Sequence, residues 1–218
     1  WDFKSASINL INISGKGRFL RYRTFFDRFG IDIMVVADLD VLVDGFDKLQ
    51  PSKRAQGLRD DLLRQVDAII DEESLLPEPN PRLLKEELQR ERAQRLYGDI
   101  GEARRKADTE GVVQLLDELF VFERTKPRLE VLKDPARGVI LQKKRELLAE
   151  LRNQHVFILE KGAIEAYYPD EVVGTDKPTK AQCFCSTVTA AEEVRALCDE
   201  IGADGEPMSE FDAVFRGI

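Results

Sequence analysis

The chain has 218 residues, a formal net charge of −8, 43% hydrophobic residues and 34% charged residues, a composition typical of a soluble, charge-rich and helix-heavy protein. No apolar run approaches the roughly 18 to 20 residues that a membrane span needs, and the start does not resemble a signal peptide, so we expect a cytoplasmic protein. The three cysteines, Cys183, Cys185 and Cys198, match neither a disulfide framework nor a four-ligand zinc site.

The negative charge is not spread evenly along the chain. Residues 1–50 hold seven basic and seven acidic side chains, and residues 51–155 hold 21 of each. The last 63 residues hold five basic and 13 acidic side chains, which is the whole excess. The net charge therefore does not exclude nucleic acid as a ligand of the first 155 residues.

The first 30 residues predict a strand, a glycine turn and a helix. Ala6–Ile13 is rich in Ile and predicts a strand, and aromatic residues then recur at helical spacing between residues 19 and 29. Gly30 stands where a helix C-cap is preferred. Gly15 and Lys16 form a candidate phosphate-binding turn, because free N–H groups and the helix dipole favour an anion at a helix start. A solvated basic helix face explains the neighbouring arginines equally well.

An apolar run from Ile33 to Ala37 follows and ends in Asp38-Leu39-Asp40. The run predicts a buried strand that is parallel to the first one. Side chains two residues apart on a strand point the same way, so Asp38 and Asp40 would present two carboxylates at its carboxyl end, where open α/β sheets bind ligands. Such a pair favours a divalent cation, and Mg²⁺ or Mn²⁺ suits carboxylate oxygens. A purely structural acidic turn is the alternative.

The middle of the chain has a different character. Charged amphipathic helix is predicted around residues 62–70, 81–97, 112–122 and 142–151, with hardly a strand signal between them. We therefore predict three segments. Residues 1–50 are the first part of an α/β domain, residues 51–153 are a helical insertion, and residues 154–218 complete the α/β domain with C-terminal helices.

Strand composition returns at His155–Glu160 and is followed at once by Lys161. A strand that resumes after a helical excursion is expected to rejoin the first sheet, which would bring Lys161 near the aspartates. His155 is the only histidine and is interpreted as structural. Further along, Thr189-Ala-Ala-Glu192 predicts a capping box for a tail helix that ends at Gly202 and packs on the sheet.

These features together resemble one family. They are a strand–helix–strand unit with a Gly-Lys turn, a hydrophobic strand ending in Asp38-Leu39-Asp40, a long helical insertion, and a returning segment Val-Phe-Ile-Leu-Glu-Lys-Gly-Ala-Ile-Glu-Ala-Tyr-Tyr-Pro. The combination is similar to the C-terminal Toprim nuclease region of the overcoming-lysogenization-defect (OLD) family. The resemblance implies an α/β fold, with a Toprim-like parallel sheet and a long inserted α-helical subdomain. It also implies a DNA endonuclease that hydrolyses phosphodiester bonds with two Mg²⁺ or Mn²⁺ ions.

Carried over to this sequence, the resemblance implies that Asp38 and Asp40 bind metal and that Lys161 is the catalytic lysine. Glu165, in the Lys-Gly-x-x-Glu segment, is a further site residue by the same comparison. The family's glutamate motif has no counterpart ahead of Ser5, and no Walker A motif is present. We therefore expect the glutamate-bearing strand and an ABC-type ATPase domain upstream in a parent chain. The expected partners are this ATPase and the DNA backbone, without a membrane, and an oligomer is compatible with the sequence.

Two alternatives belong to other functional classes. A haloacid-dehalogenase-like phosphatase also has a D-x-D motif after a buried strand, but its pattern continues as D-x-D-x-[TV], and this sequence has Leu42 at the final position. The second alternative is a non-catalytic interaction module, in which the helical insertion binds a partner and the aspartates only form a turn.

Overall fold

A computed structural model describes residues 9–13, 15–73, 75, 78–79, 91–119, 122–198 and 209–216. Most of these residues are helical, and the strands are short. None of the described helices is long and apolar enough to cross a membrane. The α-helices are α1 Phe19–Asp27, α2 Lys53–Glu72, α3 Glu91–Arg105, α4 Thr109–Leu119, α5 Thr125–Lys133, α6 Gly138–Arg152, α7 Lys177–Thr187, α8 Ala191–Ala196 and α9 Glu210–Arg216. The strands are β1 Val35–Ala37, β2 Glu78–Pro79, β3 Phe122–Glu123 and β4 Val156–Ile158.

The chain divides into two compact units. The first comprises Trp1–Val66 and Leu132–Ile218, and the second comprises Asp67–Val131. The second unit lies within the predicted insertion of residues 51–153 and is narrower than it. The three predicted segments remain a prediction, since a division by compactness does not establish which residues were inserted.

The first unit is built on a two-stranded parallel sheet. β1 pairs with β4, and Val35 is in register with Val156. The backbone amide of Val35 also donates to the carbonyl of His155, at 2.9 Å, so His155 contributes to the start of the ladder. The returning strand thus joins the strand that precedes Asp38, as the sequence predicts. The fully buried side chains of this unit come from the turn after β1, from α2, from the end of α5, from α6 and from β4. They include Leu39, Val41, Leu42, Leu62, Val66, Leu132, Leu147, Leu148, Leu151 and Val156.

The predicted strand at Ala6–Ile13 is not observed where the chain is described. Residues 9–13 have no strand structure, and Leu10 and Ile11 are exposed; residues 6–8 lie outside the described part. A β-rich composition forms a strand only where a partner ladder and a buried face are available. The described residues therefore do not form the expected strand–helix–strand unit, and the partner of β1 is β4.

The helix after the glycine turn agrees with prediction. Lys16–Arg18 is a 3₁₀ turn that leads into α1, and Gly30 follows the helix with a φ of +64°. The amides of Gly30 and Ile31 donate to the carbonyls of Asp27 and Phe26, which is the paired hydrogen bonding of a Schellman C-cap. Glycine suits this position because it adopts the left-handed region without a Cβ penalty.

The C-terminal helices differ from prediction in detail. Glu193, not Glu192, caps α8, because the helix begins at Ala191. The Glu193 carboxylate accepts from the amides of Thr189 and Ala190, at 2.8 and 3.0 Å. Gly202, the predicted helix end, lies outside the described residues. α9 packs on the sheet, since Ala213 and Val214 form a cluster with Phe157 and Met34.

The second unit has its own small core. Ala93, Leu96 and Leu119 are buried together, with Ile100 and Leu115 packed against them. α4 ends at Leu119, before the predicted end at Phe122, where β3 pairs antiparallel with β2. Residues 81–90 of the predicted second helix lie outside the described part of the chain.

Candidate active site

The site begins where β1 ends. Asp38 has extended backbone geometry and precedes a 3₁₀ turn, Leu39–Leu42, whose Leu39, Val41 and Leu42 side chains are buried. The amide of Leu39 donates to the carbonyl of Gly162, at 2.9 Å, just beyond the end of β4. This bond joins the Asp38-Leu39-Asp40 turn to the Lys161-Gly162 turn. The carboxyl ends of the two parallel strands therefore meet at one edge, as the sequence predicts.

Several charged side chains at this edge act on the carboxyl group of Asp38. Burial raises the pKa of its carboxyl group, and the negative charges of Asp40 and Glu165 raise it further. The ammonium groups of Lys177 and Lys16 act in the opposite direction. Four charged groups, from Lys16, Asp40, Glu165 and Lys177, thus influence this one carboxylate.

Lys16 binds the acidic turn. Its Nζ lies 2.8 Å from Asp40 Oδ2 and donates to the backbone carbonyl of Asp44, at 3.1 Å. The lysine stem also packs against Gly45, where a Cβ atom would be only 2.9 Å from Lys16 Cδ and where φ is +88°. Lys16 and Gly15, predicted as a phosphate-binding turn, therefore lie beside the aspartates, with the ammonium group paired to Asp40. Phosphate binding by this turn remains a prediction.

Glu165 lies in the 3₁₀ turn Ile164–Tyr167 and is mostly shielded from solvent. Lys177 Nζ lies 2.7 Å from its Oε1. The hydrogen bond from Lys177 lowers the pKa of Glu165, and the same bond raises the pKa of Lys177. Glu165 is therefore a charged member of the group around Asp38, and its role as a site residue remains a prediction.

Lys177 was not predicted to be a site residue. It is the first residue of α7, whose N-cap Asp176 accepts from the amide of Thr179, at 2.8 Å. An aspartate before a lysine and Pro178 is a helix-start signal that local reasoning can recognise. Nothing local indicates that the lysine reaches Glu165, because that contact depends on how α7 packs. One such packing contact is the stacking of Tyr168 on Phe184, with ring centroids 4.6 Å apart.

Lys161 follows β4 as predicted, but its ammonium group is bound elsewhere. Lys161 Nζ donates to the carbonyl of Leu197, at 2.7 Å, and lies 5.5 Å from the centre of the Tyr167 ring. Lys16 and Lys177, rather than Lys161, are the lysines that most affect the pKa of Asp38. The structure thus brings Asp40 and Glu165 within electrostatic reach of Asp38 and directs the Lys161 side chain to a different set of atoms.

A buried polar network supports the Lys161 turn. Glu210 of α9 accepts from the amide of Glu160, at 2.7 Å, and from the hydroxyl of Tyr167 in a short hydrogen bond. Glu160 pairs with Arg152, at 2.9 Å, and the buried Lys144 Nζ donates to the Glu160 carbonyl. Burial is the main reason why the pKa of Glu210 and the pKa of Tyr167 are both raised. The network fixes the backbone on which Lys161 and Glu165 lie.

One family model matches this chain. Residues 1–40 match the TOPRIM domain of overcoming-lysogenization-defect-like proteins. The matched segment is well under half of the chain, and it ends at Asp40, the second aspartate of the acidic turn. At family level, a TOPRIM match indicates an enzyme that acts on nucleic acid. No curated protein and no solved structure matches the chain.

TOPRIM domains generally use divalent metal ions. The carboxylates of Asp38, Asp40 and Glu165 are the type of donor that Mg²⁺ and Mn²⁺ prefer. Burial, together with the negative charges of Asp40 and Glu165, raises the pKa of Asp38, and a bound cation would offset this effect. The donor chemistry therefore fits. In the arrangement observed, the described residues contain no group of three or more acidic, histidine or cysteine side chains close enough to hold a metal ion, and lysines pair with both Asp40 and Glu165.

Proposed function

We propose that this chain is the nuclease portion of a larger ATPase–nuclease and that it hydrolyses DNA phosphodiester bonds with Mg²⁺ or Mn²⁺. The observation that supports this most directly is the coincidence of Asp38-Leu39-Asp40 with the end of the family match and with the end of β1. The acidic turn thus lies at the end of the segment that matches the family, and the same turn meets the segment after β4.

In this proposal Asp38, Asp40 and Glu165 hold the divalent ions, of which we expect two. Bound ions would stabilise the negative charge that builds on the scissile phosphate and would supply an activated water. The protein itself orients the carboxylates. The buried Leu39 side chain and the bond between the Leu39 amide and the Gly162 carbonyl fix the acidic turn. The packing of Tyr167 fixes the turn that contains Glu165.

Lys161 is proposed as the cationic residue that meets the phosphate. A positioned ammonium group offsets the charge that develops on a phosphoryl oxygen. To do so, Lys161 Nζ would exchange the carbonyl of Leu197 for a phosphate oxygen. Because the proposed contacts are all with the sugar–phosphate backbone, we expect little preference for base sequence.

The test is cleavage of supercoiled plasmid with Mg²⁺, with Mn²⁺ and with a chelator. Wild type is compared with Asp38→Ala and with Asp61→Ala, a control that removes an exposed carboxylate paired with Arg64 on α2. We expect metal-dependent nicking or linearisation by wild type and by the control, and its loss in Asp38→Ala. Circular dichroism establishes that all three proteins are folded.

Two outcomes would contradict the proposal. One is undiminished cleavage by Asp38→Ala. The other is absence of cleavage by folded wild type with either ion. Hydrolysis of small phosphate monoesters in place of plasmid would favour the phosphatase alternative.

A further inference from the structure

Two lysines that are far apart in the sequence, Lys16 and Lys177, pair with the carboxylates that act on Asp38. Lys16 Nζ lies 2.8 Å from Asp40, and Lys177 Nζ lies 2.7 Å from Glu165. Both ammonium groups also lower the pKa of Asp38 itself. Within the described residues, the ammonium groups of Lys16 and Lys177 therefore offset part of the negative charge of Asp38, Asp40 and Glu165.

The position of Lys177 is not explained by the stability of its own helix. A cation at the first residue of a helix opposes the helix dipole, which favours acidic side chains there. α7 has no acidic residue in its first turn, and its N-cap bond is made by Asp176. What Lys177 gains at this position is its ion pair with Glu165, so the interaction that favours a cation here is the one with the acidic site.

We infer that Lys16 and Lys177 are internal counter-ions of the Asp38, Asp40 and Glu165 site, and that a divalent cation displaces them from their carboxylates. The inference rests on the proposed function, because it assumes that these carboxylates bind metal. Carboxylate oxygens that accept from an ammonium group must give up that bond, or share it, in order to coordinate a metal ion. The lysines therefore compete with the ion, and they keep the site neutralised in its absence.

The competition is expected to be moderate. The Lys177 side chain is 73% exposed, whereas that of Glu165 is 21% exposed, and exposed ion pairs are weak. Loss of the Lys177 ammonium group should therefore tighten divalent-ion binding by roughly two- to fivefold, the range for one exposed pair. The same exposure means that a substitution at this position should not disturb packing.

The experiment measures Mn²⁺ binding in the absence of DNA, by electron paramagnetic resonance of the free ion, on the whole 218-residue chain. The variants are Lys177→Met, Lys177→Arg and Lys16→Met, and Asp38→Ala defines the binding that belongs to the site. Lys106→Met is the matched control, because it removes one positive charge and an exposed ion pair of 2.8 Å, with Glu102, from the second unit.

We expect tighter binding in Lys177→Met and in Lys16→Met, and binding close to wild type in Lys177→Arg and Lys106→Met. Binding that appears only after the lysine is removed would support the inference equally. A different result would overturn the inference but not the metal site of the proposed function. In that result wild type binds Mn²⁺, Asp38→Ala abolishes the binding, and Lys177→Met and Lys16→Met bind Mn²⁺ as tightly as wild type or more weakly. Absence of Mn²⁺ binding from every variant would overturn both the inference and the metal site of the proposed function.

Discussion

The backbone amide of Leu39 donates to the carbonyl of Gly162 over 2.9 Å, and this bond joins the two segments that contain the predicted site residues. Leu39 lies between Asp38 and Asp40, and Gly162 follows Lys161. The distance between the carboxylates and the Lys161 turn is therefore set by a backbone contact that requires no particular side chain. Mutations at this junction should affect the site through its geometry.

Gly162 is expected to tolerate no side chain. Its φ is +124°, and an added Cβ would lie 2.7 Å from Lys133 Cε. Since the lysine end can move, the backbone strain dominates, and Gly162→Ala should lower the free energy of unfolding by about 1 to 3 kcal/mol. Urea denaturation measures this change. Gly57→Ala is the control with the opposite sign, because Gly57 lies within α2 with open space around it and alanine favours a helix by roughly 0.5 to 1 kcal/mol.

Lys161 and Lys177 should have separable effects. The Lys161 ammonium group binds Leu197, not the carboxylates, so Lys161→Ala should leave Mn²⁺ affinity unchanged. If Lys161 meets the phosphate, the same variant should slow plasmid cleavage by about a hundredfold, the usual loss for one charge-stabilising donor. Single-turnover cleavage at saturating metal checks this. Parallel losses of metal binding and cleavage in Lys161→Ala would contradict the assigned role.

Stability should depend on the protonation of Glu210. Burial raises the pKa of this carboxyl group, beside Glu160, Arg152 and Tyr167. A raised pKa means that the folded state takes up the proton more readily than the unfolded state. The contribution of Glu210 to the free energy of unfolding therefore becomes more stabilising as pH falls from neutral through the folded pKa. Glu210→Gln removes the titration. The stability of the variant relative to wild type should therefore be greater at pH 7.5 than at pH 5.

The measurement is the free energy of unfolding of both proteins at several pH values, by urea denaturation. A difference between variant and wild type that stays constant from pH 7.5 to pH 5 would show that Glu210 does not titrate in this range. The Glu193→Gln variant is a control, because the pKa of this capping carboxylate is lowered by the amides of Ala190 and Thr189. Its titration lies at more acidic pH.

The second unit should depend on one bidentate ion pair. Arg128 Nε and Nη2 donate to the two oxygens of Asp67, at 2.8 and 2.7 Å, and both side chains are mostly shielded. Arg128→Ala should therefore destabilise the protein by about 1 to 2 kcal/mol, since charge-assisted paired bonds are stronger than single ones. Arg124→Ala is the control, because Arg124 makes a more exposed ion pair with Asp71, at 2.8 Å. This variant should lower the free energy of unfolding by about 0 to 1 kcal/mol. Thermal unfolding should rank the variants in this order, with plasmid cleavage unaffected in both.

Sequence alone determined the features that rest on local patterns. The apolar run before Asp38 predicted β1, the aromatic spacing and Gly30 predicted α1 and its end, and the returning apolar run predicted β4. The pairing of β1 with β4 was also predictable, because crossover connections between parallel strands follow general rules. For the same reason the meeting of Asp38 with the Lys161 turn could be predicted before the structure was known.

Tertiary structure decided what depends on distant contacts. Residues 9–13 have strand composition but form no ladder, because strand propensity is realised only against a partner. The direction of the Lys161 side chain toward Leu197 could not be predicted, since it depends on the chain after α8. Lys177 joined the site only through the packing of α7. The carboxylates at the end of a strand were thus a property of the sequence, whereas their counter-ions were selected by the fold, because ion pairs form between whichever charges packing brings together.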